Sequence, residues 1–231
     1  MKIINLKKNL GMFALNIRYM ELERGCVHGF IGENGSGKTT TAKLIARILQ
    51  PDEGTIIYDG LCPREITMTT QKPYMLHASV YENLVYPLKI RGIKPNETEI
   101  EAILKKYGLL QKKQQYARTL SSGEQQKLSI LRALIFKPEL VIVDETLSNL
   151  SADSLVLFEN LILDIQKTSS ITWIIISHQP HIINELCDNV HFFANGQLIE
   201  SGKKEHIFFN PEEPIVQAYM QRQAFGMVKA R

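Results

Sequence analysis

Short apolar runs alternate along the chain with stretches in which apolar residues recur every three or four positions. That alternation predicts strands separated by helices. Residues 26–31 read as a short buried strand. Residues 32–37 form a glycine-rich turn, and from 38 to 49 Ala42, Ile45 and Leu49, with Leu44 and Ile48, recur at helical spacing. Gln50-Pro51-Asp52-Glu53-Gly54 stops that helix, and 55–58 is β-branched and aromatic enough for another strand. From 79 to 136 the pattern is helical, with breaks expected near Pro87, Gly92, Pro95 and Gly108. Residues 140–143 are a continuous apolar strand ending in Asp144-Glu145; 150–165 read as a helix, and 171–177 as a strand running into His178. Two apolar runs, 190–193 and 197–200, flank Ala194-Asn195-Gly196, a hairpin signal.

Strands alternating with helices imply an α/β fold, a mostly parallel sheet covered on both faces. The helical stretch before residue 140 looks like an insertion into it. At 231 residues the chain suits one large domain, or a core carrying an inserted subdomain. A net charge of +3 with no run of five like charges gives no case for nucleic-acid binding. Cys26, Cys62 and Cys187 are widely spaced with no Cys-x-x-Cys pair, which suits a reducing compartment and buried small hydrophobes rather than disulfides. The early lysines bracket too short an apolar stretch for a signal peptide. The longest apolar runs fall far short of the roughly 18 residues of a membrane span. A soluble, cytoplasmic protein is expected, with any membrane role coming through a partner.

The segment Gly32-Glu33-Asn34-Gly35-Ser36-Gly37-Lys38-Thr39 matches the G-x-x-x-x-G-K-[ST] pattern in full, between a predicted strand and a predicted helix. The glycines let the backbone turn tightly and aim successive N–H groups at one point. The helix that follows presents its unpaired amides and positive dipole end there, including those of Lys38, Thr39 and Thr40. Lys38 adds a mobile charge for the β- and γ-phosphates, and the Thr39 hydroxyl suits a hard Mg²⁺ ion. The loop predicts a nucleoside triphosphate with Mg²⁺ and does not by itself separate ATP from GTP.

Asp144 and Glu145 lie at the C-terminal end of a buried strand, where ligands of open α/β sheets bind. Asp144 is placed to hold Mg²⁺, and Glu145 to polarise an attacking water, because in-line phosphoryl transfer needs a positioned nucleophile. Away from a phosphate loop, the pair would read as a solvated turn. His178 also closes an apolar strand. Alone it would be structural; here it is a donor able to contact the γ-phosphate and fix Glu145 and water. Gln71 follows Thr67-Met68-Thr69-Thr70 and is placed to sense the metal through its amide. The segment Leu120-Ser121-Ser122-Gly123-Glu124 reads as a capped helix start, with Ser121 or Ser122 as cap, Glu124 supporting it, and Leu128, Leu131, Ala133 and Leu134 as apolar face. A serine-glycine helix start is also a second anion site.

Taken together and in this order, these segments resemble the nucleotide-binding subunits of ABC transporters, over essentially the whole length. Residues 32–39 look like their Walker A loop, Gln71 their Q-loop, and 120–124 their signature motif. Residues 140–144 look like Walker B with the catalytic Glu145 after it, 148–151 the D-loop, and His178 the switch histidine. The resemblance implies a P-loop NTPase (RecA-like) fold: a mostly parallel sheet core with an N-terminal antiparallel β part and an inserted helical subdomain. It implies a single domain, 1–72 and 136–231 as nucleotide-binding core and 73–135 as the insertion. ATP is the implied nucleotide, in a head-to-tail homodimer where Ser121 and Gly123 of one chain close on the γ-phosphate held by Lys38 of the other. Phe13 is the candidate for stacking on adenine, with Leu10 the alternative.

Against the family pattern, the signature reads Leu120-Ser121-Ser122-Gly123-Glu124 where Leu-Ser-Gly-Gly-Gln is usual, Thr146-Leu147 follows the glutamate where Pro-Thr is usual, and Ser151 stands in the D-loop where an aspartate is usual. Ser79-Val80-Tyr81-Glu82-Asn83-Leu84 and the following Pro87-Leu88-Lys89-Ile90-Arg91-Gly92 look like the region after the Q-loop in bacterial importer ATPases. Residues 10–17 are similar to ATPases of molybdate and tungstate uptake. The leading expectation is an importer ATPase, peripheral on the inner face of the cell membrane. It would dock on integral membrane permease subunits and serve a substrate-binding protein indirectly. A soluble ABC ATPase of DNA repair or translation is the alternative. A nucleotide-binding regulator that does not hydrolyse would require Glu145 or His178 to be missing.

Overall fold

The computed structural model of the chain describes residues 1–146 and 151–228. Its strands are β1 (Lys2–Leu10), β2 (Phe13–Glu21), β3 (Val27–Ile31), β4 (Glu53–Ile57), β5 (Ile66–Thr69), β6 (Leu140–Asp144), β7 (Thr172–Ile176), β8 (Asn189–Ala194) and β9 (Gln197–Lys203). They form one sheet in the order β4-β1-β2-β9-β8-β3-β7-β6-β5. The helices are α1 (Lys38–Ile45), α2 (Val80–Lys89), α3 (Glu97–Lys106), α4 (Ser122–Leu134), α5 (Ala152–Thr168), α6 (Pro180–Leu186), α7 (Lys204–Phe209) and α8 (Pro214–Val228).

The continuous apolar runs become the parallel strands, because these are covered on both faces. In β6 and β7, Val141, Val143, Trp173 and Ile175 enter one core cluster with residues of α2–α6. Their neighbours Leu140, Ile142, Ile174 and Ile176 enter another with α1, β1 and β2. Parallel pairing of β5, β6, β7, β3 and β8 brings the C-terminal ends of these strands to one edge. On the other side, β1 pairs antiparallel with β2 and β4. This antiparallel part joins the rest through one parallel step, Asn16 opposite Gln197. The hairpin expected around Asn195-Gly196 is present as β8–β9.

Several boundaries differ from the sequence pattern. The first helix stops at Ile45 rather than Leu49, because Arg47 turns into the left-handed region with φ 56° and caps its guanidinium over the Tyr58 ring. The break expected at Pro87 does not occur: α2 runs through it to Lys89. Pro87 forfeits only one N–H bond near the end of the helix, while Leu84 and Leu88 beside it are buried. Cys187 is buried but Cys62 is exposed, so the three cysteines are not uniformly core residues. Of the expected D-loop, residues 148–150 lie outside the described residues. Ser151 starts α5, and its hydroxyl pairs with that of Ser154 at 2.8 Å.

Candidate active site

The loop between β3 and α1 needs glycine for two separate reasons. Gly32 has φ 133°, and a Cβ there would stand 2.0 Å from the Phe193 carbonyl oxygen. Gly37 has φ 111°, and its Cβ would meet Leu15 Cδ1 at 2.7 Å and Phe13 Cζ at 3.4 Å. Only bare backbone fits at either place, which is also what lets the loop close around a phosphate group. Ser36 and Lys38 are buried, Thr39 and Thr40 half-buried, and Glu33, Asn34 and Gly35 exposed.

Lys38 folds back on its own loop. Its ammonium donates to the Gly32 and Glu33 carbonyls, both at 2.8 Å, and to Ser36 Oγ at 3.2 Å. Burial pushes its pKa down, opposed by the carboxylates of Glu145 and Asp144. Asp144 is also buried, and accepts a 3.0 Å hydrogen bond from Thr39 Oγ1. Burial pushes its carboxyl up; the Thr39 bond opposes this and the Glu145 charge adds to it. Two oxygens suited to a hard cation thus stand side by side, one of them on a buried carboxylate whose charge Lys43 and Lys38 only partly offset.

Adjacent strand ends supply the remaining groups. The β6–β7 register sets Asp144 opposite Ile176, so His178 emerges beside Glu145. His178 Nδ1 lies 3.8 Å from Glu145 Oε1. Glu145 is held in the left-handed region, φ 51°, with its N–H donating to the Ile176 carbonyl at 3.0 Å. Gln71 follows β5, on the other side of β6. A cavity of about 410 Å³ is lined by Gly32, Glu33, Asn34, Gln71, Glu145, His178, Tyr219 and Arg222. The structure therefore gathers the loop, Gln71, Glu145 and His178 around one space. Phe13 sits half-buried against Gly37, whereas its cross-strand neighbour Leu10 is more exposed.

Ser121 and Gly123 do not line this cavity. They begin α4, where Ser121 and Glu124 form a reciprocal capping box, and Lys112 holds Glu124 at 2.5 Å. Three further groups at the site escape sequence reasoning. Gln126, buried in α4, donates to the Thr146 carbonyl at 2.8 Å and approaches that of Gln71 at 3.5 Å. Thr69 pairs its hydroxyl with that of Thr146 at 2.8 Å. Arg222 reaches the loop from α8, 3.4 Å from Glu33. No periodicity marks any of them, since each is defined by a tertiary contact.

Among the described residues, no helix is long and apolar enough to cross a membrane. Comparison with known proteins gives a family match to ABC transporter over residues 15–148. The tungstate uptake system ATP-binding protein TupC of Peptoclostridium acidaminophilum is 34% identical over 206 residues, 86% of this chain and 96% of that protein. A methionine import ATP-binding protein MetN of Geobacillus kaustophilus is 28% identical, covering 88% of this chain but only 64% of that longer protein. The structure of cbiO1 from Clostridium perfringens, part of the cbiONQ transporter complex, superposes with a TM-score of 0.75 at 26% identity, covering 100% of this chain and 98% of that one. An ATP-binding subunit of another ABC transporter shares the fold, with a TM-score of 0.83 at 20% identity over 95% of this chain and 98% of that one. The chain belongs to the ABC transporter family, as an ATP-binding subunit that hydrolyses ATP to energise a membrane transporter.

Proposed function

We propose that this subunit powers a prokaryotic importer through a head-to-tail homodimer docked on permease subunits at the inner face of the membrane. The observation that carries the catalytic part is the convergence of Gln71, Asp144, Glu145 and His178 from three neighbouring strand ends onto the loop of residues 32–39. In this reading Lys38 exchanges its loop carbonyls for the β- and γ-phosphates. Thr39 and Asp144, with Gln71, would hold Mg²⁺, which supplies charge neutralisation of the phosphates. Glu145 takes the proton of the attacking water, and His178 orients Glu145 and contacts the γ-phosphate. Phe13 stacks on adenine. Residues 73–135 act as the inserted subdomain between core segments 1–72 and 136–231.

Ser121 and Gly123 stand away from the cavity of their own chain, which supports a role on the nucleotide of a second copy. The relatives matched are uptake and import subunits, and this favours an importer over soluble work in DNA repair or translation. Tungstate or a related oxyanion is the cargo that the TupC likeness favours, selected by the permease and binding protein.

Glu145→Gln tests the reading. It should keep ATP binding and lose hydrolysis by about 10²–10⁴-fold. Sedimentation should then show an ATP-dependent dimer, because uncleaved nucleotide holds the two faces together. Turnover at a tenth of wild type or more would exclude Glu145 as the base, and a persistent monomer at high protein and ATP concentration would exclude the composite site.

A further inference from the structure

Three residues apart along α8, Val216, Tyr219 and Arg222 fall on one stripe of the helix. Val216 is fully buried and Tyr219 nearly so, with its ring edge-on to Phe192 at 5.0 Å. The start of the helix is fixed as well: the N–H groups of Glu212 and Glu213 donate to the Glu200 carboxylate at 3.0 and 3.1 Å. With both points anchored on the β8–β9 side of the core, the stripe runs off the apolar surface and over the phosphate loop. Arg222 is the residue that arrives there.

Two cavities flank that arrival. One, about 170 Å³, lies between residues 33–36 of the loop and Ile215, Tyr219 and Arg222 of α8. The other is the catalytic cavity, which Arg222 shares with Glu145, His178 and Gln71. Arg222 pairs with Glu33 at 3.4 Å, but both side chains are about two-thirds exposed. So exposed a pair contributes little, and Arg222 Nε also donates to the Ala218 carbonyl of its own helix at 3.2 Å, which leaves the terminal nitrogens able to turn to another anion. Lys38, by contrast, is buried inside the loop with three partners of its own.

We propose that Arg222 is a second phosphate-directed cation, delivered in cis by α8 to the terminal phosphate of the bound nucleotide. It leaves Glu33 for the stronger, forked contact that a guanidinium makes with phosphate oxygens. The terminal phosphate is the target because Arg222 opens on the chamber of Glu145 and His178, the groups assigned to hydrolysis. The inference rests on the nucleotide-site reading above.

The test is equilibrium binding of ATP and ADP to the free chain, wild type against Arg222→Ala and Arg222→Lys, with Lys38→Ala as reference. Arg222→Ala should weaken ATP about tenfold and ADP less than about twofold, because only ATP carries the phosphate it contacts. Arg222→Lys should recover only part of the loss, since it keeps the charge but not the fork. Equal effects on the two nucleotides, or a lysine variant no better than alanine, would overturn the proposal. Tighter binding by Arg222→Ala would overturn it in favour of Arg222 as a latch on Glu33. Lys38→Ala weakens both nucleotides if the loop is the phosphate site; if it weakens neither, the site reading fails, independently of Arg222.

Discussion

Replacing Gln126 by methionine isolates one hydrogen bond between α4 and the turn that carries Glu145. The two side chains are similar in length and volume, so packing changes little. What disappears is the donor. Thr146 is fully buried, and its carbonyl loses a 2.8 Å bond. The 3.5 Å approach to the Gln71 carbonyl is at the limit of hydrogen-bond geometry and adds little. Leaving a buried acceptor unpaired costs about 1–3 kcal/mol. For a chain of this size each kcal/mol is worth about 2–4 °C, so the melting temperature should fall by about 2–12 °C. The slack falls on the residue next to Glu145 and spares the loop, so kcat should drop while ATP affinity stays within about twofold. Calorimetry, ATP titration and steady-state turnover on the same preparations measure all three. Unchanged melting temperature and kcat would refute the assignment. Affinity falling as far as kcat would show that Gln126 acts on the loop and not on the Glu145 turn.

Other groups of the site give further expectations. Lys38→Ala removes the buried charge and the donor to two loop carbonyls, so ATP affinity should fall by about 100-fold or more; affinity within about twofold of wild type, by titration, would contradict it. Asp144→Asn should separate stability from function. Burial raises the folded-state pKa of Asp144 above its unfolded value, so its contribution is present at low pH and is lost as pH rises through the folded pKa. At neutral pH the ionised carboxylate therefore weakens the nucleotide-free protein. The asparagine variant should melt higher at neutral pH, with a smaller difference in acid, and lose the Mg²⁺ dependence of ATP binding. A lower melting temperature at neutral pH would show that the charge is better compensated than its surroundings indicate.

The parts legible in sequence are those where one physical signal covers consecutive residues. The phosphate loop is contiguous, and its glycines are required by the Phe193 carbonyl and by Leu15, both of which leave room for backbone alone. Strands β6 and β7 announce themselves because burial on both faces makes every position apolar. Strand β1 does not. Asn5 sits at φ 49°, and the pairing with β4 shifts register between Ile4 and Lys7. Ile3 and Leu6 then both face inward at a spacing of three, which erases the period of two. Strand β5 is four residues long and mostly half-buried, too short and too polar to show a pattern. The contacts of Gln126, Thr69 and Arg222 depend on how separate elements pack, and local spacing carries no trace of them.

The departures from the family pattern separate into two kinds once their surroundings are known. Thr146 stands where proline is usual, and it is fully buried. Its hydroxyl pairs with Thr69 across the ends of β5 and β6, and it lies 3.3 Å from the Asp144 carbonyl. A proline ring would stiffen this turn by fixing φ; here hydrogen bonds to the neighbouring strand do the same work. This substitution is therefore absorbed within the chain. Ser122 and Ser151 are different, because both are exposed. Ser122 is exposed at the first position of α4, and the Ser151 hydroxyl is satisfied by Ser154. Neither serine strains the single subunit. Whatever they change must act on a surface that a second copy covers in the proposed dimer. In that reading, this sequence keeps the chemistry of its own loop and strand ends intact and alters the contacts through which one site senses the other.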